Sequence, residues 1–396
     1  MDFDLCVIGG CGHVGLPLSI AFALRGKRVA IFDTDLDGAA KVSRGEMPFI
    51  EQGGERDLRE ALASGRLVVA PAPGVIAQSD AVVLVVATPI DAHMSPSFQA
   101  IDAVLNSYRL YFRNGQLLIL RSTLFPGTSA RVGRWLAENG LKLDVAVCPE
   151  RVSQGYGLVE IFSLPQIISA SSAHGLKRVR ELFSVLTEDL VEMKPLEAEL
   201  TKLFTNAWRY IKFAVANQYY VIASEFGADF DAIYRGITHN YPRASDLPGP
   251  GFAAGPCLFK DTMQLAAFTR NSFWIGHAAM LVNEGLPQHV VDRLRKTHAD
   301  LAAKTVGILG MAFKAEVDDA RDSLSYKLKN LLELETRAVL CSDPYVREPG
   351  LISAEELVER SDIILIGTPH KLYKQLDCRG KPVIDVWNLR GAGTTQ

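Results

Sequence analysis

A cysteine, a lysine and an aspartate lie within one helical turn of each other in the segment Gly255–Asp261. Cys257 follows Gly249–Pro256, a run rich in glycine and proline, and this order predicts that Cys257 begins a helix. A helix N-terminus favours the thiolate form of a cysteine, and Lys260 adds positive charge nearby. Most lone cysteines are buried structural residues, which is the alternative interpretation. The spacing with Lys260 and Asp261 favours a nucleophilic role for Cys257.

A glycine-rich turn follows the first predicted strand, Leu5–Ile8. Gly10, Gly12 and Gly15 have the G-x-G-x-x-G spacing that lets a backbone approach a dinucleotide pyrophosphate at the start of a helix. Asp33 ends the second predicted strand, where an acid binds the ribose of NAD and disfavours NADP. Together with Cys257, this turn suggests an enzyme that oxidises its substrate twice and holds the half-oxidised aldehyde on a thiol. The predicted cofactor contacts are Gly10, Cys11, Gly12, His13, Val14, Gly15, Asp33, Thr88, Pro89 and Thr123.

Composition excludes several classes of protein. The 396 residues carry a net charge of −3, which gives no electrostatic basis for binding nucleic acid or an anionic membrane. No apolar run approaches the roughly 20 residues that span a bilayer. The six cysteines are scattered and the eight histidines form no H-x-x-H pair, so we expect neither disulfides nor a bound metal. The expected location is the cytoplasm.

The order of predicted elements favours an α/β protein. Strand-length apolar runs alternate with helical stretches up to about residue 195, which predicts a parallel sheet covered on both faces. A long helix starts near Glu197, and a second α/β pattern without G-x-G-x-x-G starts near Lys304. We therefore predict two Rossmann-like, doubly wound parallel-sheet domains joined by a long-helix central domain. The predicted boundaries are 1–195 for the NAD domain, 196–298 for the central, dimerising domain with Cys257, and 299–396 for the second, smaller Rossmann-like domain.

Further motifs follow one another along almost the whole chain. They are Gly10–Gly15 with Leu16 and Pro17; Gly45, Pro48 and Glu51; Thr88 and Pro89; Ser122 and Thr123; Pro126–Thr128; Pro149–Arg151; Glu199, Lys202 and Asn206; Arg243; Cys257–Asp261; and Gly310, Lys314, Asp319, Arg321 and Ser323. In this order they resemble the UDP-glucose/GDP-mannose dehydrogenase family of nucleotide-sugar 6-dehydrogenases. The resemblance implies oxidation of C6 of a nucleotide hexose from alcohol to acid, with two NAD⁺ reduced.

The resemblance also implies catalytic roles. Thr123 and Asp261 would hold the water that acts as base in the first oxidation, and Lys202 would stabilise the developing oxyanion. Cys257 would capture the aldehyde as a thiohemiacetal, which a second hydride loss converts to a thioester. Lys202 and Asn206, one turn apart on the long helix, would stabilise the oxyanion of thioester hydrolysis.

The resemblance implies that Glu150 contacts the sugar and serves as a general base. Family members carry a second glutamate four residues later, where this chain has Gln154, which cannot act as a base. Arg243 would reach the sugar of a neighbouring subunit, so a homodimer is expected. Lys314 and Arg321 would approach the diphosphate. The predicted substrate contacts are Glu150, Arg151, Val152, Ser153, Gln154, Lys202, Arg243, Gly251, Lys260, Lys314 and Arg321.

Alternatives remain for the reaction and for the sugar. A single-step 3-hydroxyacid dehydrogenase shares the Rossmann-plus-long-helix plan but needs neither Cys257 nor a second α/β domain. A cofactor-binding protein without chemistry is favoured only by Gln154. UDP-glucose is the expected substrate, with UDP-N-acetylglucosamine, UDP-N-acetylmannosamine and GDP-mannose as alternatives.

Overall fold

The computed structural model describes residues 2–86 and 98–393, so the predicted cofactor contacts Thr88 and Pro89 lie outside the described residues. The chain divides into two compact units, Met1–Thr205 and Asn206–Gln396. Each unit contains a parallel sheet with helices around it, as the alternation of apolar runs predicts. Among the described residues, no helix combines the length and the apolar character that crossing a bilayer requires.

The N-terminal unit is built on a six-stranded sheet of order β3-β2-β1-β4-β5-β6, and every neighbouring pair is parallel. A separate parallel pair is formed by β7 and β8. The strands are β1 (Phe3–Ile8), β2 (Val29–Phe32), β3 (Leu67–Val69), β4 (Ser79–Leu84), β5 (Leu117–Leu120), β6 (Asp144–Val147), β7 (Gln166–Ile168) and β8 (Leu190–Glu192). The helices are α1 (Gly15–Leu24), α2 (Leu36–Ser43), α3 (Gly54–Ala63), α4 (Gly74–Ala77), α5 (Gln99–Tyr108), α6 (Thr128–Glu138), α7 (Gly157–Ser163), α8 (Ala173–Phe183) and the start of α9 (Pro195–Glu225).

The six-stranded sheet is apolar on both faces. In β1, Leu5 and Val7 belong to one buried cluster, whereas Cys6 and Ile8 belong to the cluster on the opposite face. Successive side chains of a strand point to opposite faces, so a continuous apolar run requires cover on both sides. The strand order reverses between β1 and β4, and this switch point is where open α/β sheets bind ligands.

The C-terminal unit contains a four-stranded parallel sheet of order β10-β9-β11-β12. Its strands are β9 (Thr305–Leu309), β10 (Ala338–Ser342), β11 (Ile363–Ile366) and β12 (Val383–Ile384). Its helices are the remainder of α9, α10 (Phe230–Thr238), α11 (Leu258–Phe268), α12 (Trp274–Thr297), α13 (Leu324–Glu333) and α14 (Ala354–Arg360). The helical stretch between residues 195 and 298 is therefore present as predicted. The three predicted domain boundaries stay a prediction, since the division into units falls within α9.

Candidate active site

The glycine turn between β1 and α1 leaves no room for side chains at its base. A Cβ on Gly9 would lie 1.9 Å from the Val85 carbonyl oxygen, and one on Gly15 would lie 2.3 Å from the Gly9 carbonyl oxygen. A Cβ on Gly12, by contrast, would meet nothing within 4 Å. The helix that follows has no side-chain cap at Val14, so the positive end of its dipole faces the turn without a carboxylate or hydroxyl bound to it. The turn thus fits a dinucleotide pyrophosphate.

Asp33 is tied to this turn through its carboxylate. Its Oδ2 accepts a 2.8 Å hydrogen bond from the Cys11 N–H, and its Oδ1 accepts one of 3.0 Å from the Asp35 N–H. The acid predicted to bind ribose therefore also shapes the loop that would hold the pyrophosphate. Gly12, Val14 and Asp33 together have the arrangement that NAD requires.

Glu150 follows β6 and is bound on both carboxylate oxygens. Its Oε2 forms an ion pair with the guanidinium of Arg121, whose side chain is fully buried. Its Oε1 accepts hydrogen bonds of 2.7 and 3.0 Å from the N–H groups of Arg151 and Val152. Arg121 also donates a 3.0 Å hydrogen bond to Gln166. This buried pair holds the start of the segment Arg151–Gln154. Arg121, which directly follows β5, is not among the site residues predicted from the sequence.

Gln154, in the place of the second glutamate, lies beside the glycine turn. Its Nε2 is 3.3 Å from Nε2 of His13, and the His13 ring is 4.0 Å from that of Phe49. Nearby, the Ser153 N–H donates a 2.5 Å hydrogen bond to the Glu160 carboxylate. The predicted substrate segment is therefore fixed by contacts at both of its ends.

The turn after β5 carries Thr123 and leads to α6. The Ser122 hydroxyl donates to the Val86 carbonyl oxygen at 2.7 Å and accepts from the Val86 N–H at 2.9 Å, which joins this turn to the end of β4. The Glu199 carboxylate accepts hydrogen bonds from the N–H groups of Gly127 and Ser129 at 2.6 and 2.7 Å. Lys202, half-buried, lies one turn after Glu199 on α9.

In the C-terminal unit, Cys257 is the N-cap residue of α11, as predicted from the preceding loop. Among the six cysteines, all within the described residues, only Cys257 is exposed. The Asp261 N–H donates a 2.8 Å hydrogen bond to the Cys257 carbonyl oxygen and so closes the first turn. Cys257 thus combines exposure with a helix N-terminus, the setting that favours a reactive thiolate.

The Asp261 carboxylate is fully buried, and both of its oxygens have cationic or amide neighbours. Oδ2 accepts a 2.5 Å hydrogen bond from Nδ2 of Asn206, and Oδ1 lies 2.8 Å from Nζ of Lys260. Burying a carboxylate without such neighbours costs several kcal/mol. The structure therefore brings together three of the predicted site residues around one charge.

The loop before Cys257 is packed at two glycines. Gly251 has a φ of 149° and a Cβ there would lie 2.1 Å from the Trp387 ring. Gly255 has a φ of 100° and its Cβ would lie 2.4 Å from the Phe313 ring. Neither position accepts a side chain in this conformation. Gly251 is predicted from the sequence to contact the substrate, and the structure gives it this second, structural constraint.

The two side chains predicted to approach the diphosphate, Lys314 and Arg321, and Arg243, predicted to reach a neighbour's sugar, differ in their surroundings. Arg321 forms a bidentate pair with Asp319 at 2.6 to 3.1 Å. The pKa of Arg321 is raised, chiefly by hydrogen bonding to Asp319 and further by electrostatic interaction with Cys257. Lys314 is half-buried, and Arg243 is exposed with its guanidinium 5.5 Å from the Tyr241 ring. Arg321 therefore belongs to the surroundings of the candidate nucleophile.

In the second sheet an acid closes the turn after β9. The Asp343 Oδ2 accepts hydrogen bonds from the N–H groups of Met311 and Ala312 at 2.7 and 2.9 Å, and lies 3.2 Å from Nε2 of the buried His370. The Cys11 N–H makes the same kind of contact with the Asp33 carboxylate in the turn after β1. Within the described parts of the chain, no group of three or more potential ligands could hold a metal ion.

Comparison with known proteins gives similarity along nearly the whole chain. Residues 3–187, 196–284 and 307–391 match the NAD binding, central and UDP binding domains of the UDP-glucose/GDP-mannose dehydrogenase family, respectively. The UDP-N-acetyl-D-mannosamine dehydrogenase of Methanocaldococcus jannaschii is 30% identical over 381 residues, covering 94% of this chain and 87% of that protein.

Two solved structures have closely similar folds. The UDP-glucose dehydrogenase of Pyrobaculum islandicum has a TM-score of 0.92 at 28% identity, covering 99% of this chain and 96% of that one. The UDP-D-ManNAc dehydrogenase of Pyrococcus horikoshii has a TM-score of 0.90 at 27% identity, covering 97% and 95%. These similarities confirm the predicted fold class.

Proposed function

Since the chain belongs to the UDP-glucose/GDP-mannose dehydrogenase family, we propose that it oxidises C6 of a UDP-linked N-acetylhexosamine from alcohol to carboxylic acid. The protein is an NAD-dependent oxidoreductase that acts on a nucleotide sugar. The observation that supports a two-step oxidation is the exposed Cys257 at the N-terminus of α11, next to the buried Asp261. A single oxidation would need no nucleophilic thiol.

The comparisons favour UDP-N-acetylmannosamine as the substrate. Two of the three similar proteins described above carry this sugar in their names. One is the relative from Methanocaldococcus jannaschii, found by sequence similarity, and the other is the solved structure from Pyrococcus horikoshii. UDP-glucose, expected from the sequence motifs, is the second candidate because the Pyrobaculum islandicum protein is named for it. Both sugars present a primary alcohol at C6, so the choice between them leaves the chemistry unchanged.

The proposed reaction consists of two oxidations, each with one hydride transfer, and a final hydrolysis. When bound, NAD accepts one hydride in each oxidation. The C6 alcohol first loses a hydride and a proton to give an aldehyde. The thiol of Cys257 adds to that aldehyde to form a thiohemiacetal, which loses a second hydride and a proton to give a thioester. Water then cleaves the thioester, releasing the acid and restoring the thiol.

We assign the remaining roles to residues that the motifs single out. The family resemblance assigns to Thr123 and Asp261 the water that takes the first proton, and to Lys202 and Asn206 the stabilisation of the oxyanions. The hydrogen bond from Asn206 to Asp261 supports this assignment, because it fixes the amide at the helix turn that carries Cys257. Lys202 lies one turn before Asn206 on α9.

Glu150 has a different role in this proposal from that of a general base. A base must accept a proton, but Oε2 of Glu150 already pairs with Arg121 and Oε1 accepts two backbone hydrogen bonds. We propose that Glu150 anchors the segment Arg151–Gln154 against the sugar. The base role implied by the family resemblance stays a prediction.

A homodimer is part of the proposal. Trp208 and Tyr219 on α9 and Phe226, directly after its end, are exposed by 55%, 45% and 84%, and their spacing along the chain places them on one side of the helix. Large apolar side chains exposed in a row mark a protein interface. A two-fold axis along this face would pair it with itself, which is the commonest closed assembly.

Stoichiometry of NADH production tests the proposal. The purified protein is incubated with NAD⁺ and, separately, UDP-N-acetylmannosamine, UDP-N-acetylglucosamine, UDP-glucose and GDP-mannose. We expect two NADH per acid formed with the first sugar. One NADH per substrate would indicate a single-step dehydrogenase, and none with any sugar would overturn the proposal.

The Cys257→Ser variant is the matched control. A serine hydroxyl is a poor nucleophile at neutral pH, so we expect net acid formation to fall by roughly 10³-fold or more. Unchanged two-step turnover by this variant would remove the thiol from the mechanism.

A further inference from the structure

We propose that Asn217 is a positioning residue that fixes the loop Gly249–Pro256 and thereby places Cys257 for attack on the substrate. The inference rests on the proposed function for the identity of the reaction. It depends on contacts within the C-terminal unit alone. None of the motifs in the sequence points to Asn217, which lies in the middle of α9.

The side chain of Asn217 holds Gly251 by both of its backbone groups. Its Oδ1 accepts a 2.8 Å hydrogen bond from the Gly251 N–H, and its Nδ2 donates a 3.0 Å hydrogen bond to the Gly251 carbonyl oxygen. A primary amide is the side-chain group that can accept and donate in this paired manner. The contact therefore fixes both the position and the rotation of the Gly251 peptide groups.

A second buried amide contacts the first. Nδ2 of Asn217 also donates a 2.9 Å hydrogen bond to Oδ1 of Asn283 on α12. Asn283 in turn donates a 3.0 Å hydrogen bond to the Tyr210 carbonyl oxygen. Both asparagines are fully buried. The two hydrogen bonds to Gly251 already fix which end of the Asn217 amide donates, so Asn283 adds stability to that orientation and does not set it.

The held residue is one that local structure alone would not fix. Gly251 adopts a φ of 149°, and the space beside it is filled by the Trp387 ring. Glycine loses more conformational freedom on folding than any other residue, so it needs external contacts to remain in one conformation. Asn217 supplies two of those contacts.

A further contact lies between Gly251 and the thiol. The Gly255 N–H donates a 3.2 Å hydrogen bond to the Asp322 carbonyl oxygen, next to Arg321. Two residues later Cys257 caps α11. The loop is thus held at Gly251 by Asn217 and at Gly255 by Asp322. Release of the first anchor lets the segment before the nucleophile move, while the helix that follows stays folded.

The experiment compares Asn217→Ala with Asn283→Ala. Each variant removes one buried amide, but only Asn217→Ala removes the hydrogen bonds to Gly251. Misplacing a reacting group by about 1 Å costs up to roughly 10²-fold in rate, so we expect kcat to fall by about 10- to 100-fold in Asn217→Ala. KM should rise as well, since the released loop includes Gly251, a predicted substrate contact, so the readout that isolates the thiol is its alkylation without substrate. Asn283→Ala should lose a similar amount of stability and keep kcat within about threefold of the unmodified protein.

A second readout requires no substrate. Iodoacetamide alkylates Cys257 at a rate that peptide mass spectrometry follows. We expect this rate to fall in Asn217→Ala, because the thiol leaves the helix N-terminus more often, and to stay near the original value in Asn283→Ala. Equal alkylation rates and equal kcat values in the two variants would overturn the positioning role.

The two readouts separate this inference from the proposed function. If no nucleotide sugar is oxidised but only Asn217→Ala slows alkylation, the function is wrong and the positioning of Cys257 stands. If Asn217→Ala does not fold, Asn217→Leu takes its place, since leucine has the same branched shape and avoids a cavity but still removes both hydrogen bonds to Gly251. For that variant, losses of kcat and alkylation rate no larger than those of Asn283→Ala would overturn the inference.

Discussion

Nδ2 of Asn206 on α9 donates a 2.5 Å hydrogen bond to the buried Oδ2 of Asp261 on α11. The bond links the helix that carries Asn206 to the helix that Cys257 caps. Lys260 is the other neighbour of the same carboxylate, with Nζ 2.8 Å from Oδ1. Changes to this charge should therefore affect both stability and catalysis.

Asp261→Asn should destabilise the protein. The amide oxygen of the new asparagine can accept from only one of the two donors, Asn206 and Lys260, and its NH₂ group then faces the other. A charge-assisted hydrogen bond worth about 2–3 kcal/mol is therefore lost. We expect a lower urea midpoint and a kcat lower by about 10²-fold or more, roughly the contribution of one general base. Asp189→Asn, at an exposed position just before β8, should change neither measurement.

Gln154→Glu should accelerate hydrolysis of the thioester. It restores a carboxylate in the segment that follows Glu150, beside His13, where a base could activate water. Intact-protein mass spectrometry should then detect a covalent adduct on Cys257 during turnover by the natural protein and less of it in the variant. Absence of an adduct in both, with equal kcat, would show that hydrolysis does not limit the rate.

Asp33 should set the preference for NAD⁺ over NADP⁺. A carboxylate repels the 2′-phosphate of NADP⁺, so kcat/KM should favour NAD⁺ by about 10²-fold or more. Asp33→Asn keeps an acceptor for the Cys11 N–H and removes the charge, so the ratio of kcat/KM for NAD⁺ to that for NADP⁺ should become smaller. Asp35→Asn, the matched control at the N-cap of α2, should leave the ratio unchanged. Similar kcat/KM values for both cofactors in the natural protein would refute the assignment.

Charged substitutions on the exposed face of α9 should dissociate the dimer. We expect Trp208→Glu combined with Phe226→Glu to give a monomer by sedimentation velocity, since two charges would be buried without partners. The monomer should also lose activity if Arg243 completes a neighbour's site. Leu334→Glu, at a side chain 81% exposed after α13, should remain dimeric. A monomeric natural protein with full activity would contradict both expectations.

Asp343 should stabilise the protein at neutral pH and lose this effect only in acid. Burial opposes its ionisation, but hydrogen bonds from His370 and from the backbone of Val346, Ala312 and Tyr345 outweigh this and lower its pKa from 3.8 to about 2. A depressed pKa stabilises the folded state above the unfolded value, and the contribution, roughly 2 kcal/mol, is lost as pH falls from 4 towards 2. The urea midpoint of Asp343→Asn should therefore lie below that of the natural protein by the same amount at pH 5 and pH 8. A difference that varies across that range would contradict this linkage.

The fold was largely predictable because its signals are local. Fully apolar strands such as Leu117–Leu120 require cover on both faces, and the G-x-G-x-x-G turn requires a strand before it and a helix after it. The strands β8 and β12 were not predicted. They contain only 3 and 2 residues, too few for a periodic pattern to show.

The supporting contacts of the site were not predictable in the same way. Arg121 and Glu150 are 29 positions apart, and nothing in either neighbourhood shows that they pair. Asn217 is a polar residue inside a helical pattern, where sequence alone suggests exposure, yet it is fully buried. Such pairings arise from the tertiary fold, and the motifs report only the residues that carry the chemistry.

The Trp387 ring against Gly251 has a consequence for the order of folding. These two residues are far apart in the sequence, so the loop before Cys257 acquires its native packing only when the end of the chain has folded against it. The rate at which Cys257 gains its native reactivity would then report completion of folding in the C-terminal unit. A nascent or damaged chain would thus expose no properly placed nucleophile until its second sheet is complete.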